Sequence, residues 1–160
     1  MNKEKQDDMP FFDMSSAEDL YKKLKNDYGI MDKNHTVYNY MNFIFTARHL
    51  EDWIKEDKAC SNKIKKKCKN ILNFNYNPEL STVVILCNKE KHFVLKEEYK
   101  KYDKRKVKKT GLFDFNNIDF SNFSFRTSCY MVESGNRMKD LDNVCSKIME
   151  DYKKIFDKNT

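Results

Sequence analysis

Hydrophobic residues recur at helical spacing through the first half of the chain. Leu20, Leu24 and Tyr28 follow one another at intervals of four, after a capping-box start at residues 15–18, and Gly29 is expected to end this helix. A second helix is expected from residues 32–34 to about residue 57. Its main apolar stripe consists of Val37, Met41, Ile44, Ala47, Leu50 and Ile54.

A third helix is predicted from residue 61 to about residue 74. One side carries Ile64, Cys68, Ile71 and Leu72, and the opposite side carries lysines. In residues 77–92 the signals conflict, because the β-branched residues 82–85 suit a strand. Asn77, Pro78 and Glu79 are helix-start signals, and the apolar spacing that follows is helical, so a fourth helix is expected.

After residue 92 the apolar period changes from helical to alternating. Residues 113–115 and 123–132 alternate by two, and residues 134–136 are a turn signal, which predicts an antiparallel β-hairpin at about residues 112–139. Asp140 or Asp142 then caps a last amphipathic helix. The chain is therefore predicted to be mainly α: a bundle of about five helices with a β-hairpin inserted before the last one. Residues 1–14 are expected to be a flexible arm on a single domain of residues 15–160.

Composition supports a globular, intracellular reading of this pattern. Hydrophobic residues make up 39%, charged residues 35% and aromatic residues 14% of the chain, whereas disordered chains are typically poor in aromatics. The five cysteines form no C-x-x-C pair, and the three histidines lack metal-ligand spacing. We therefore expect reduced thiols and neither a metal nor a cofactor. Without a signal core or a long apolar run, a cytoplasmic protein with no membrane partner is expected.

Positive charge is concentrated in two runs of the sequence. The net charge is +6, and residues 94–109 alone carry eight Lys/Arg against three acidic residues. Residues 63–69 form the second basic run, on the predicted third helix. Both runs suit an acidic partner such as a nucleic acid, but a solvated lysine-rich face is an equally good interpretation.

Two segments contain candidate catalytic side chains. On the second helix Asn42, Thr46, His49 and Trp53 are spaced to line one ridge, which borders either a pocket or simply the edge of the core. Arg48 and Asp52 can form an ion pair beside this ridge.

The second segment lies at the end of the fourth helix, where Asn88 and His92 are one turn apart. The imidazole of His92 is suited to exchange protons with a hydroxyl, the Asn88 amide to orient a phosphate, and Lys89 and Lys91 to neutralise that phosphate. Together these are the components of metal-independent RNA cleavage. Asn is frequent in this chain, which also contains three histidines, so an Asn-x-x-x-His spacing arises readily by chance.

The segment N-F-x-x-T-A-x-H-x-x-D-W at residues 42–53, followed by N-x-x-K-H at residues 88–92, resembles a pattern in small uncharacterised bacterial and phage proteins. The later segment is also distantly similar to HEPN domains, helical and often dimeric bundles whose RNase members use Arg-x-x-x-x-His, commonly with Asn after the Arg. Asn88 and His92 match the Asn and His of that motif. Cys87 stands in place of the arginine and lacks its fixed charge, so the resemblance implies a degenerate domain or a cation supplied by Lys91 or Arg48.

Three functional hypotheses follow. The first is a non-catalytic or degenerate HEPN-like interaction protein of a phage, mobile-element or defence context, which binds RNA or a host or defence protein, as a monomer or as a homodimer. The second is a metal-independent ribonuclease with His92, Asn88 and His49 in one cleft. The third gives both histidines only a role in the core. The residues expected to bind the partner or its phosphates are Lys89, Lys91, Arg48, Trp53, Lys104, Arg105, Lys106, Lys108 and Lys109.

Overall fold

The described part of the chain is a helical bundle with a small sheet. The structure is a computed structural model, and it describes residues 14–91, 107–111, 128–134 and 137–157. The helices in these ranges are α1 (Ala17–Lys33), α2 (Val37–Glu56), α3 (Asn62–Ile71), α4 (Pro78–Lys91) and α5 (Leu141–Phe156). This confirms the predicted mainly helical fold. None of these helices is long and apolar enough to cross a membrane.

Side-chain caps fix the starts of the helices. The capping box predicted at residues 15–18 is replaced by a cap one residue later: the Ser16 hydroxyl accepts from the Asp19 amide at 3.2 Å and donates to the Asp19 carboxylate at 2.7 Å. Asn77 Oδ1 accepts from the Leu80 amide at 2.8 Å and thereby caps α4. This start signal overrides the β-branched run that follows it, and the prediction of a fourth helix is confirmed.

Three helix boundaries and one core assignment were predicted wrongly. Gly29 does not end α1, which continues to Lys33, because Met31, two residues further on, is buried at 1% exposure and its burial stabilises continued helix. The second helix begins at Val37 and not at residues 32–34, since residues 32–33 still belong to α1 and Thr36 is the N-cap of α2. Helix α3 ends at Ile71, three residues before the predicted end at residue 74. Val37 belongs to the first turn of α2, where it is 44% exposed and does not extend the apolar stripe into the core.

The predicted hairpin is present as part of a larger sheet. Strands β2 (Ser128–Ser134) and β3 (Arg137–Asp140) pair antiparallel and lead directly into α5, whose N-cap is Asp140. A further strand, β1 (Val107–Gly111), pairs antiparallel with β2, so the described sheet has the order β1-β2-β3. The sequence did not predict β1, which lies at the end of a lysine-rich run.

The helices share one hydrophobic core, and polar side chains tie them together inside it. Its largest fully buried side chains include Tyr40, Phe43, Leu24 and Tyr152. The Tyr152 hydroxyl of α5 donates to the Ala47 carbonyl of α2 at 2.5 Å. Because a buried hydroxyl must have a partner, this bond fixes how α5 lies on α2.

Candidate functional site

The predicted ridge on α2 is divided between core and solvent. Asn42 and His49 are exposed, Trp53 is half-buried against the core, and Thr46 is buried. The Thr46 hydroxyl donates at 2.6 Å to Asp27 of α1, because the Thr46 side of the ridge faces that helix. His49 is therefore not a buried core histidine, which contradicts the burial that the third hypothesis expects of it.

Arg48 lies in a dense ion-pair network on α2. Its Nη1 is 3.0 Å from Asp52 Oδ1 and 3.2 Å from Glu51 Oε2, and Lys55 Nζ is 2.6 Å from the other oxygen of Glu51. This confirms the predicted pair between Arg48 and Asp52. Partial burial opposes the charge on Arg48, but Asp52 and Glu51 more than offset that effect and raise the pKa of the guanidinium.

Arg48 lies on a helix that packs against the HEPN-like segment, because α2 and α4 contact each other. The buried Cys87 of α4 is the last and smallest of the groups that raise the pKa of the Arg48 guanidinium. Asn88 follows at the half-buried end of α4. His92 lies outside the described residues, so the close approach of His49 and His92 stays a prediction.

The remaining predicted binding residues are described only in part. Lys89 and Lys91 belong to the last turn of α4, whereas Lys108 and Lys109 lie in β1, opposite Met131 and Tyr130 of β2. Lys104, Arg105 and Lys106 lie outside the described ranges.

A polar cluster that the sequence did not indicate joins the start of α2 to the start of α5. The buried Tyr40 hydroxyl donates to Asp142, and His35 Nδ1 lies 3.0 Å from that hydroxyl and 3.2 Å from Asp142 Oδ1. The Tyr130 ring of β2 packs edge-on against Tyr40 with centroids 5.2 Å apart. The cluster locks three elements together, and its residues are too far apart in sequence for spacing to reveal it.

Helix α3 presents the most uniform charged surface among the described elements. Ile64, Cys68 and Ile71 face inwards, while Lys63, Lys66 and Lys69 are exposed on the other side at intervals of three residues. We call these three residues the α3 lysine face. In the described part of the chain, no carboxylate lies within ion-pair distance of any of them.

The two intervening lysines of α3 have different roles. Lys65 Nζ donates to the Lys55 carbonyl at 2.9 Å, and Lys67 Nζ donates to the Lys154 and Asp157 carbonyls at 3.1 and 3.3 Å. These bonds attach α3 to the end of α2 and to the end of α5. The helix is therefore anchored on both sides while the lysine face points to solvent.

A cavity of about 330 Å³ opens beside α3, between the start of α1 and the end of α5. Its lining carries both signs of charge, with Lys63 and Lys67 set against Glu18, Asp57 and Asp157. Asp57 uses both oxygens on backbone, since Oδ2 accepts from the Ala17 amide at 2.8 Å and Oδ1 from the Ala59 amide at 2.7 Å. The Ala17 amide is the main cause that lowers the pKa of Asp57. Lys63 thus lies at the border between this cavity and the α3 lysine face, whereas Lys66 and Lys69 are outside the lining. A cavity of mixed charge favours a polyanion less than a face of lysines alone does.

Within the described ranges, no group of three or more His, Cys, Asp or Glu side chains is arranged to hold a metal ion. Comparisons with protein-family models, with curated proteins and with solved structures give no match to this chain.

Proposed function

We propose that this protein is a non-catalytic binding protein whose α3 lysine face binds a polyanionic partner. The observation that carries the proposal is that Lys63, Lys66 and Lys69 are exposed in one row and lack ion pairs within the described structure. An ammonium group without a carboxylate partner can neutralise an external phosphate without first breaking an internal contact.

The surroundings of α3 support this role. Its sequence, NKIKKKCKNI, contains five lysines and no acidic residue. The inner lysines, Lys65 and Lys67, fasten the helix to carbonyls of its neighbours. Lys63, Lys66 and Lys69 therefore lie on a helix that is already held in place. This lowers the conformational entropy that is lost when a ligand binds.

The test is a comparison of two variants that lose the same charge. In the first, Lys63, Lys66 and Lys69 are all replaced by Gln. In the control, Lys22, Lys55 and Lys147 are replaced by Gln; these lysines already pair with carboxylates at 2.9, 2.6 and 3.3 Å. Binding to inorganic polyphosphate is measured at several salt concentrations, and circular dichroism verifies that both variants are folded.

The lysine-face variant is expected to bind polyphosphate at least about tenfold more weakly, with a salt slope smaller by about 2, since each phosphate contact on a flexible polyanion contributes about 0.7. The control is expected to stay close to the native affinity. Equal losses in the two variants would show that net charge alone drives binding, and would overturn the proposal.

One observation favours a second candidate, the metal-independent ribonuclease. The packing of α2 on α4 brings the helix that carries Arg48 alongside the helix that carries Cys87, which supports a cation supplied by Arg48 from outside the motif. The test is incubation of mixed RNA with native protein, with His92→Ala and with Arg48→Gln, all in EDTA. Cleavage by the native protein that both substitutions abolish would establish this candidate and refute the non-catalytic proposal.

A further inference from the structure

The turn between α3 and α4 places one aromatic ring in solvent. Tyr76 is 85% exposed, whereas Phe74, two residues earlier, packs against the core. The turn therefore sends one of its two rings inwards and leaves the other outside. A single exposed aromatic side chain is ordinary on a protein surface and does not by itself indicate a binding site. The position of Tyr76 next to α3 is therefore the relevant observation.

Hydrogen bonds hold Tyr76 beside the end of α3. The amides of Tyr76 and Asn77 both donate to the Asn73 carbonyl, at 3.0 and 2.8 Å. The side-chain amide of Asn77 donates to the Ile71 carbonyl at 3.1 Å and to Asp151 of α5 at 2.9 Å. Ile71 is the last residue of α3, so the tyrosine backbone is fixed next to the helix end.

This arrangement places the backbone of an exposed tyrosine just beyond the end of the helix that carries the lysine row. Lys69 lies two residues before Ile71, and Lys66 and Lys63 continue the row one and two turns further back. The exposed ring and the three ammonium groups thus belong to one helix and the turn that follows it. Proteins that bind single strands combine the same two elements: bases stack on aromatic rings while lysines follow the backbone phosphates.

We propose that the polyanion bound by the α3 lysine face is a single-stranded nucleic acid, with a base stacked on Tyr76 and neighbouring phosphates along Lys69, Lys66 and Lys63. This inference rests on the proposed function and names its ligand. A duplex keeps its bases in its own stack, and an acidic peptide offers carboxylates without a matching series of planar rings. Only a single strand uses both parts of the surface.

The experiment measures fluorescence anisotropy with labelled oligouridine, labelled oligothymidine and a labelled duplex of equal length, and uses inorganic polyphosphate and polyglutamate as competitors. The variants are Tyr76→Ala and Tyr76→Phe. Tyr38→Ala is the matched control, because Tyr38 is 78% exposed and lies in the first turn of α2. Circular dichroism confirms that each variant is folded.

Tyr76→Ala is expected to weaken binding of both single strands by about tenfold, the usual effect of losing one stacked base. Tyr76→Phe and Tyr38→Ala are expected to bind as the native protein does, and polyphosphate binding is expected to be the same in all variants. Native protein is expected to bind the single strands more tightly than the duplex.

Three results would overturn the inference: unchanged single-strand binding by Tyr76→Ala, an equal loss of polyphosphate binding in that variant, or tighter binding of the duplex or of polyglutamate than of the single strands. If the lysine-face variant still loses polyphosphate binding in such a case, the proposed function stands and only the choice of ligand fails. If native protein binds none of the probes, both proposals fail.

Discussion

Exposed lysines on α2 and on α3 are in opposite situations. Lys55 of α2 has Glu51 at 2.6 Å and Asp52 at 3.9 Å, both within one helical turn before it in the sequence. Lys66 of α3 has no such neighbour, because its helix contains no acidic residue. The first lysine is neutralised by its own helix and the second is not. The two lysines contribute equally to the net charge. They differ in whether a carboxylate lies beside the ammonium group, and an ammonium group without one is available to a ligand.

A third situation occurs between α1 and α2. Lys23 Nζ lies 2.5 Å from Asp27 Oδ2 and 2.7 Å from the Thr46 hydroxyl, and Asp27 and Thr46 are both buried. Here the charge is part of how two helices pack. The comparison therefore predicts that disrupting paired groups affects stability, whereas removing the α3 lysine face affects binding.

The largest effect on stability is expected for Asp27→Ala. The substitution leaves the Thr46 hydroxyl and the Lys23 ammonium without their acceptor, and we expect the free energy of unfolding to fall by about 2–4 kcal/mol. Urea denaturation measures this loss. Asp27→Asn, which keeps an acceptor for Thr46, should lose less. The affinity of the folded protein for polyphosphate should not change. A loss of affinity would contradict the expectation that paired groups affect stability and that the α3 lysine face affects binding.

A smaller effect is expected for Asp57→Ala, which removes the acceptor of the Ala17 amide at the start of α1. We expect a loss of about 1 kcal/mol, as for a helix cap. Because the folded pKa of Asp57 is lowered, its contribution is complete above the unfolded pKa and is lost as pH falls below about 4.

Denaturation of native protein and of Asp57→Asn across this pH range checks the sign. Native stability should fall more steeply on acidification than that of the variant. Parallel curves would mean that the carboxylate charge is unimportant to the start of α1.

The smallest stability effects come from a matched pair of single substitutions. Lys55→Gln should cost about 0.3–0.5 kcal/mol, the usual value of an exposed helical ion pair, and leave polyphosphate binding unchanged. Lys66→Gln should leave the free energy of unfolding within about 0.5 kcal/mol of the native value and weaken polyphosphate binding. If Lys55→Gln weakened polyphosphate binding and Lys66→Gln did not, the proposed function would be contradicted.

Much of the fold was predictable because local signals agreed with tertiary packing. Asn77 and Pro78 began α4 as expected, and Asp140 capped α5 after a recognisable hairpin turn. Where local and tertiary preferences differed, packing decided: Gly29 did not end α1, because burial of Met31 favoured another turn. Strand β1 was missed because VKKTG shows no alternation, and its partner β2 lies well beyond it in sequence.

For the candidate site, the sequence predicted the basic side of α3 but not which of its lysines lack a partner. The basic side of α3 was evident from its spacing, since Ile64, Cys68 and Ile71 mark the inner face. Which lysines remain unpaired depends on three-dimensional neighbours, as the Lys67 bond to the Lys154 carbonyl illustrates. The packing of α2, which carries Arg48, on α4, which carries Cys87, likewise could not be predicted, because spacing along the chain contains no information about which helices contact each other.

The central claim is that the unpaired lysines of the α3 lysine face bind the ligand, whereas lysines paired with a carboxylate do not. The most direct test is NMR of protein whose lysines carry ¹³C-methyl groups, a modification that keeps their charge, during titration with inorganic polyphosphate. The account predicts that the signals of Lys63, Lys66 and Lys69 shift first and furthest, while those of Lys22, Lys55 and Lys147 stay in place. Uniform shifts across both sets, or shifts confined to the paired set, would contradict it.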